Sequence, residues 1–206
     1  MTRTAWWVLA CALCGACKQS PPALPAKARC PERMVLLPDL GVCIDRFEAR
    51  VVVEGGESRA EPAKATLPDA DLTWVQAEEA CRHSGLRLCT GREWTRACAG
   101  PSGQRQRPYG DAYVSHRCNI SELNDPSDSL RLAPGGQNAD CASPEGAFDL
   151  LGNALEWTDE ARGSLRELRG SGFTHPGPSA RCVKDERGFL AMDQAGGGFR
   201  CCLTAP

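Results

Sequence analysis

Cysteine content constrains the fold of this chain more than any other feature of its sequence. The chain has 13 cysteines in 206 residues, and ten of them lie from residue 30 onward. No two of these ten form a C-x-x-C pair, and no histidine lies at ligand spacing, so a zinc site is poorly supported. An even set of cysteines in a sequence with 21 glycines and 15 prolines is typical of a loop-rich exported domain. We therefore predict five disulfide bonds.

The N-terminal segment has the features of a secretory signal. A positive start at Arg3 is followed by an apolar run from Ala5 to Leu13 and then by small residues. The run is too short to span a bilayer as a mature helix. The C-G-A-C sequence that ends at Cys17 resembles the lipobox of bacterial lipoproteins, with Cys14 where leucine is usual. We predict a signal peptide with lipobox over residues 1–17, lipidation of Cys17, and anchoring to the bacterial cell envelope.

The rest of the chain divides into a linker and one domain. Residues 18–29 carry three prolines and no apolar periodicity, which is typical of an extended tether. Residues 30–206 are enough for one domain and hardly for two. The formal net charge is −2 and no basic run is present, which argues against a nucleic-acid partner.

Two amphipathic helices are predicted in the middle of the domain. The first runs from a Thr73–Gln76 capping box to Gly85, and the second runs from a Thr90–Glu93 capping box to Gly100. Their apolar stripes carry Trp74, Ala77 and Cys81, and Trp94, Ala97 and Cys98.

Strands and loops are predicted around these helices. The sequences MVLLP, CIDRFEARVVV and RELRGSGF favour strands, the last of them ending in a glycine turn. Residues 54–71 have no clear period and are interpreted as a surface loop. Residues 118–141 have almost no hydrophobic pattern, and a loop of this length needs a disulfide or a bound cation to hold it.

Six segments, in order along the chain, resemble one known family. They are MVLLP with CIDRFEAR, LTWVQAEEACRHSGLRLCTGREWTRACAG, RPYGD, FDLLGNALEWTDE, RGSGF and GGGFRC. Together they extend over residues 30–202, and the chain is identified as a member of the formylglycine-generating enzyme and sulfatase-modifying factor family. The resemblance implies an α+β, disulfide-rich domain with the sulfatase-modifying factor fold, a variant of the C-type lectin-like fold with little regular secondary structure.

The resemblance also implies two of the disulfides. The family's structural bridges fall on Cys81 with Cys201 and on Cys98 with Cys182. For the remaining six cysteines we assign the pairs Cys89–Cys202, Cys118–Cys141 and Cys30–Cys43, the last of which could close a hairpin.

The segment FDLLGNALEWTDE contains a candidate calcium site. Asp149 and Glu156 can supply carboxylates, while Gly152 and Ala154 can supply backbone carbonyls, and Ca²⁺ takes six to eight such oxygens. The alternative is that Gly152 and Asn153 form a turn and that Glu156 pairs with a buried arginine. The family's calcium ligands match Asp149, Gly152, Ala154 and Glu156, with Asp149 in place of the usual asparagine.

A second calcium site is implied at Asn119 and Ile120. Its later carboxylate has no secure counterpart in this sequence, although Asp125 or Asp128 could serve. Calcium is thus a possible cofactor at either place.

The catalytic part of the family pattern is missing. Aerobic formylglycine-generating enzymes bind copper through two cysteines between the glycine turn and the next structural cysteine, whereas GFTHPGPSAR at residues 172–181 contains none. Without two thiolates, Cu(I) lacks its soft ligand pair, so copper is not expected. His175 is the one metal-capable side chain in the interval, and no catalytic residue is assigned.

Two functional hypotheses follow. The first is a lipid-anchored, non-catalytic domain that binds a peptide, glycan or protein partner at the cell envelope. The alternative is a divergent formylglycine-generating oxidoreductase that acts on a protein cysteine. Function depends on the site and not on the fold, and the missing cysteine pair favours the first hypothesis.

Overall fold

The computed structural model of the protein describes residues 29–122, 125, 130–183, 189–192 and 196–206. The predicted signal peptide, Cys17 and residues 18–28 of the linker lie outside this range. The elements, in chain order, are β1 (Met34–Leu37), β2 (Val42–Asp45), β3 (Ala49–Glu54), β4 (Glu57–Pro62), α1 (Trp74–His83), β5 (Arg87–Leu88), α2 (Gly91–Ala99), β6 (Glu156–Arg162), β7 (Leu165–Arg169), β8 (Phe189–Met192), β9 (Gly198–Phe199) and β10 (Cys201–Thr204).

Both predicted helices are present with their predicted caps. The Thr73 hydroxyl accepts a hydrogen bond from the amide of Gln76, and the Gln76 side chain accepts one from the Thr73 amide. Thr90 and Glu93 make the same reciprocal pair at α2. These bonds satisfy amide groups that the first turn of a helix leaves without partners.

The strands form two four-stranded sheets and one hairpin. The first sheet has the order β1-β2-β10-β5, so the C-terminal strand lies between elements from the start and the middle of the domain. The second sheet has the order β8-β7-β6-β9, with β9 parallel to β6. Strands β3 and β4 pair with each other in an antiparallel hairpin.

The prediction of a surface loop over residues 54–71 was wrong for its first part. Residues 57–62 form β4. Most side chains of this strand are polar, and Ala60 is its one buried residue. The signal was Gly55-Gly56, since both residues take positive φ and a two-residue glycine turn is typical of a β-hairpin. CIDRFEARVVV also differs from the prediction, because residues 46–48 divide it into β2 and β3.

Five disulfides hold these elements together, and they join the predicted partners. The pairs are Cys30–Cys43, Cys81–Cys201, Cys89–Cys202, Cys98–Cys182 and Cys118–Cys141. Three of them tie α1, α2 and the segment between them to the C-terminal part of the chain. Such bridges are consistent with an exported protein.

The apolar core lies between the helices and the two sheets. Trp94, Trp157 and Phe199 are buried in it, and the burial of Trp94 agrees with its place on the predicted apolar stripe of α2. Within the described ranges, no helix is long and apolar enough to cross a membrane.

Candidate functional site

The segment of residues 172–181, called here the 172–181 loop, occupies the interval in which the family's copper-binding cysteines are expected. It follows the glycine turn after β7 and ends at Cys182, which is bonded to Cys98 of α2. The amide of Phe173 donates to the carbonyl of Asn153 at 2.9 Å. The amide of Ser121 donates to the carbonyl of His175 at 3.0 Å, and the amide of Gly177 donates to the carbonyl of Ser121 at 2.8 Å. The loop is therefore fastened to two neighbouring segments.

The chemistry of this loop does not fit a copper centre. All ten cysteines from residue 30 onward are joined in disulfides, so the described part of the chain offers no thiolate. Among the same residues, no three histidine, cysteine, aspartate or glutamate side chains are grouped so that they could hold a metal ion. The Nε2 atom of His175 lies 3.2 Å from the Ser179 hydroxyl, which itself donates to the Pro176 carbonyl. A single imidazole in such a polar contact is a poor substitute for two thiolates.

A polar network lies beside the loop and is centred on Glu122. The Tyr113 hydroxyl donates to the Glu122 carboxylate, which also accepts from the Ser115 hydroxyl at 2.9 Å and from the His116 amide at 2.7 Å. Burial alone would raise the pKa of Glu122, but these three hydrogen bonds hold it below its ordinary value. Burial and the bond to Glu122 raise the pKa of Tyr113. Tyr113 therefore stays protonated and is held in one orientation.

Two cation–π contacts border this network. The Arg107 guanidinium lies 5.4 Å from the centre of the Tyr113 ring, and the Arg117 guanidinium lies 4.4 Å from that of Tyr109. Tyr113 packs directly on Gly177 of the loop, where a Cβ atom would come within 2.5 Å of the tyrosine hydroxyl. The loop and the two tyrosines thus form one surface, called here the tyrosine surface, with Arg117 at its edge.

Asp149, Gly152 and Ala154 of the predicted calcium site lie in a tight turn before β6, and Glu156 is the first residue of β6. The φ angles of Asp149, Gly152 and Asn153 are positive. The chain therefore turns at Gly152 and Asn153, as the alternative to a calcium site predicts. Glu156 also behaves as that alternative expects, because its carboxylate accepts bonds of 2.6 Å from the Nε and a terminal nitrogen of Arg200 and one of 2.8 Å from Trp94 Nε1. A calcium ion would have to share this carboxylate with the guanidinium.

The residues of the second predicted site lie against the first. The carbonyl of Asn119 accepts from the Asn153 amide at 2.8 Å, and a Cβ on Gly152 would come within 2.4 Å of that carbonyl oxygen. Ile120 is buried. Asp125 Oδ2 lies 3.3 Å from His116 Nε2, and Asp128 is outside the described residues.

Glu48 is a site residue that the sequence analysis missed. It is fully buried, and its carboxylate accepts hydrogen bonds from the Asn153 side chain and, at 2.9 Å, from the amide of Ala154. Burial and the charges of Asp149 and Glu156 raise the pKa of Glu48 well above its ordinary value, and burial raises the pKa of Asp149 to about 6. Of the three carboxyl groups only Glu156 bonds to Arg200, so Glu48 and Asp149 depend on protons or on a cation for neutralisation. The sequence feature that could have identified Glu48 is its position as an acidic residue inside the strand-like sequence CIDRFEARVVV.

The sequence of this chain matches the model of a known protein family. The model of the sulfatase-modifying factor enzyme 1-like domain matches residues 41–205. The chain belongs to this family. The match extends from β2 to β10, so it includes the turn at Asp149, the 172–181 loop and Arg200.

Individual relatives in the sulfatase-modifying factor family carry different names. Hercynine oxygenase of Mycolicibacterium thermoresistibile is 38% identical over 94 residues, which are 44% of this chain and 20% of that protein. A Mus musculus protein named inactive C-alpha-formylglycine-generating enzyme 2 is 29% identical over 156 residues, which are 69% of this chain and 51% of that protein. The chain therefore spans about half or less of the length of these relatives.

A solved structure confirms the predicted fold class. PvdO from Pseudomonas aeruginosa superposes with a TM-score of 0.55 at 14% identity, over 78% of this chain and 79% of that one. At this level of identity the likeness shows the fold alone.

Calcium at the Asp149 turn stays a prediction, and it can be tested by thermal unfolding. If the site binds calcium, a chelator lowers the melting temperature and added Ca²⁺ restores it, because a ligand that binds the folded state stabilises it. Asp149→Gly should abolish this response, since glycine accepts the positive φ of 58° but removes the carboxylate. Glu156→Ala would not be a clean test because it also breaks the ion pair with Arg200. An identical melting curve with and without chelator would support the turn and ion pair alone.

Proposed function

We propose that this member of the sulfatase-modifying factor family is a non-catalytic binding domain at the bacterial cell envelope. The observation that carries the proposal is the 172–181 loop, which contains no cysteine and lies among cysteines that are all joined in disulfides. Oxygen activation on copper has no ligand pair there. The name of the mouse relative, an inactive formylglycine-generating enzyme, is in keeping with a family member that has lost the reaction.

The tyrosine surface is our candidate for the partner-binding site. Tyr109 and Tyr113 are half-buried, so each residue is held by the domain and is still partly exposed. Val114 beside them is 44% exposed. Tyrosines combined with arginine suit recognition of a peptide, glycan or protein partner, since aromatic rings supply a large contact area and a guanidinium supplies hydrogen-bond donors.

The envelope location rests on the N-terminal sequence. We propose that lipidated Cys17 anchors the protein and that residues 18–29 hold the domain away from the membrane. The motivating features are the short apolar run before Cys17 and the five disulfides. Fractionation of cells that express Cys17→Ser tests this, because the variant should leave the membrane fraction.

The decisive experiment for function is an activity and binding assay on the oxidised full chain. With copper, oxygen and a sulfatase-type cysteine peptide, we expect no aldehyde by mass spectrometry, whereas an active formylglycine-generating enzyme in parallel converts the peptide. Arrays of peptides, glycans and envelope proteins should identify a partner whose binding falls about tenfold or more in Tyr113→Ala. Val53→Ala, which alters an exposed side chain on β3, is the matched control. Aldehyde formation would overturn the proposal in favour of the divergent oxidoreductase.

A further inference from the structure

A pocket lies away from the 172–181 loop, where the segment before β1 meets the connection between β2 and β3. Its volume is about 730 Å³, within the range of sites for small ligands. Six side chains that line it are Glu32, Arg33, Arg46, Phe47, Lys64 and Phe148. None of them takes part in the disulfides, the predicted calcium sites or the tyrosine surface.

Two stacked phenylalanines form the apolar wall of this pocket. The rings of Phe47 and Phe148 lie 5.0 Å apart with an interplanar angle of 18°. Phe47 is buried against Gly136, where a Cβ would come within 2.6 Å of the ring. The Phe47 side chain therefore has little room to move. Phe148 is half-buried and is fixed through its backbone, because its amide donates to the Arg46 carbonyl at 2.7 Å. The wall is therefore formed in advance of any ligand.

The positive charges around this wall differ in how far they are already neutralised. Arg33 makes two bonds to Asp45, at 2.7 and 2.8 Å, so its charge is compensated. Among the described residues, the Arg46 side chain makes one hydrogen bond, from its Nε to the Glu32 carbonyl at 3.2 Å. Lys64 makes no hydrogen bond or ion pair within the described ranges. Arg46 and Lys64 thus lie beside the phenylalanine wall with no carboxylate of the described residues paired to them.

We propose that this pocket binds an aromatic carboxylate, either as a free small acid or as the C-terminal aromatic residue of a peptide. The ring of the ligand packs on Phe148, and its carboxylate accepts hydrogen bonds from the fork of Arg46 and from the ammonium of Lys64. Arginine suits this role because its planar guanidinium presents two parallel N–H groups to a carboxylate. The single carboxylate at the rim, Glu32, disfavours dianionic ligands such as phosphates relative to a monoanion.

Calorimetry and ligand-detected NMR on the full oxidised chain test the proposal with matched pairs of probes. The first pair is 3-phenylpropionate and 3-phenylpropionamide, and the second is acetyl-Gly-Phe with a free carboxylate or as its amide. We expect each acid to bind at least about tenfold more tightly than its amide, because the amide lacks the charge that Arg46 and Lys64 recognise. Tighter binding of the dipeptide acid identifies a peptide end as the source, and tighter binding of the small acid identifies a metabolite.

Two surface variants locate the binding. Arg46→Ala and Lys64→Ala should each weaken the acids about fivefold to tenfold and leave the melting temperature within a few degrees of that of the unaltered protein. Arg92→Ala, at an exposed cation on α2, is the control and should bind as the unaltered protein does. Equal binding of acid and amide, absence of binding by either acid at 10 mM, or an equal loss in Arg92→Ala would overturn the proposal. None of these outcomes bears on the tyrosine surface, so the two proposals fail independently.

Discussion

Replacing Arg200 by methionine is expected to lower the free energy of unfolding by about 3–5 kcal/mol. The guanidinium is fully buried and makes two 2.6 Å bonds to Glu156. It also donates to the carbonyls of Asp45 and Phe148, at 3.1 and 3.0 Å. Methionine fills a similar volume but leaves the carboxylate of Glu156 buried without its cation.

The neighbours of this ion pair increase the expected loss. Glu48 and Asp149 lie close enough for their charges to affect one another and Arg200. Removing the one guanidinium leaves three buried acidic groups, each of which disfavours ionisation of the others.

Urea unfolding with all disulfides oxidised measures this effect, since a fall in the midpoint at constant slope reports stability. The matched control is Arg50→Met, which removes an arginine from an exposed pair with Glu61 at 2.9 Å. Exposed pairs contribute about 0–1 kcal/mol. A loss below about 1 kcal/mol in Arg200→Met would mean that the acidic groups are neutralised by something other than Arg200, and a cation at the Asp149 turn would then be the first candidate to test.

Removing both Cys81–Cys201 and Cys89–Cys202 by alanine substitution is expected to cost about 6 kcal/mol, whereas removing either one alone costs about 2–3 kcal/mol. The bridges close 120 and 113 residues of chain, and in isolation each loop would contribute nearly 5 kcal/mol. They overlap along the chain, however, and Cys98–Cys182 lies inside both. When one bridge is opened, its neighbour keeps the same chain segments close, so only a short additional loop is released.

The local bridge Cys30–Cys43 is the control for this prediction. It closes 13 residues outside these overlapping loops, and its removal should cost about 3 kcal/mol. Chemical unfolding of the three double variants and the quadruple variant gives the comparison. If removal of Cys81–Cys201 or of Cys89–Cys202 alone cost nearly 5 kcal/mol, the bridges would act as independent loops and the explanation from overlapping loops would be wrong.

Local signals in the sequence predicted the helices because the contacts that begin them are local. The Thr73 and Thr90 capping boxes join residues three positions apart, and Gly55-Gly56 would have identified the β3–β4 hairpin in the same way. The family resemblance extended this to long-range contacts by implying the pairs Cys81–Cys201 and Cys98–Cys182. No local pattern could have produced those pairs, which join residues 120 and 84 positions apart.

The sequence by itself determined the even number of cysteines in the domain, the two capped helices and the absence of a thiol pair from the 172–181 loop, because each depends on residue identity or on short-range geometry. Tertiary structure alone decided which partners the buried charges have. Glu48 and Ala154 are 106 positions apart and Glu156 and Arg200 are 44 apart, yet burial brings them into one cluster. A buried carboxylate is removed from water and needs a hydrogen-bond donor or a cation from the folded structure. The spacing of residues along the sequence therefore does not decide whether Glu156 forms an ion pair or binds calcium.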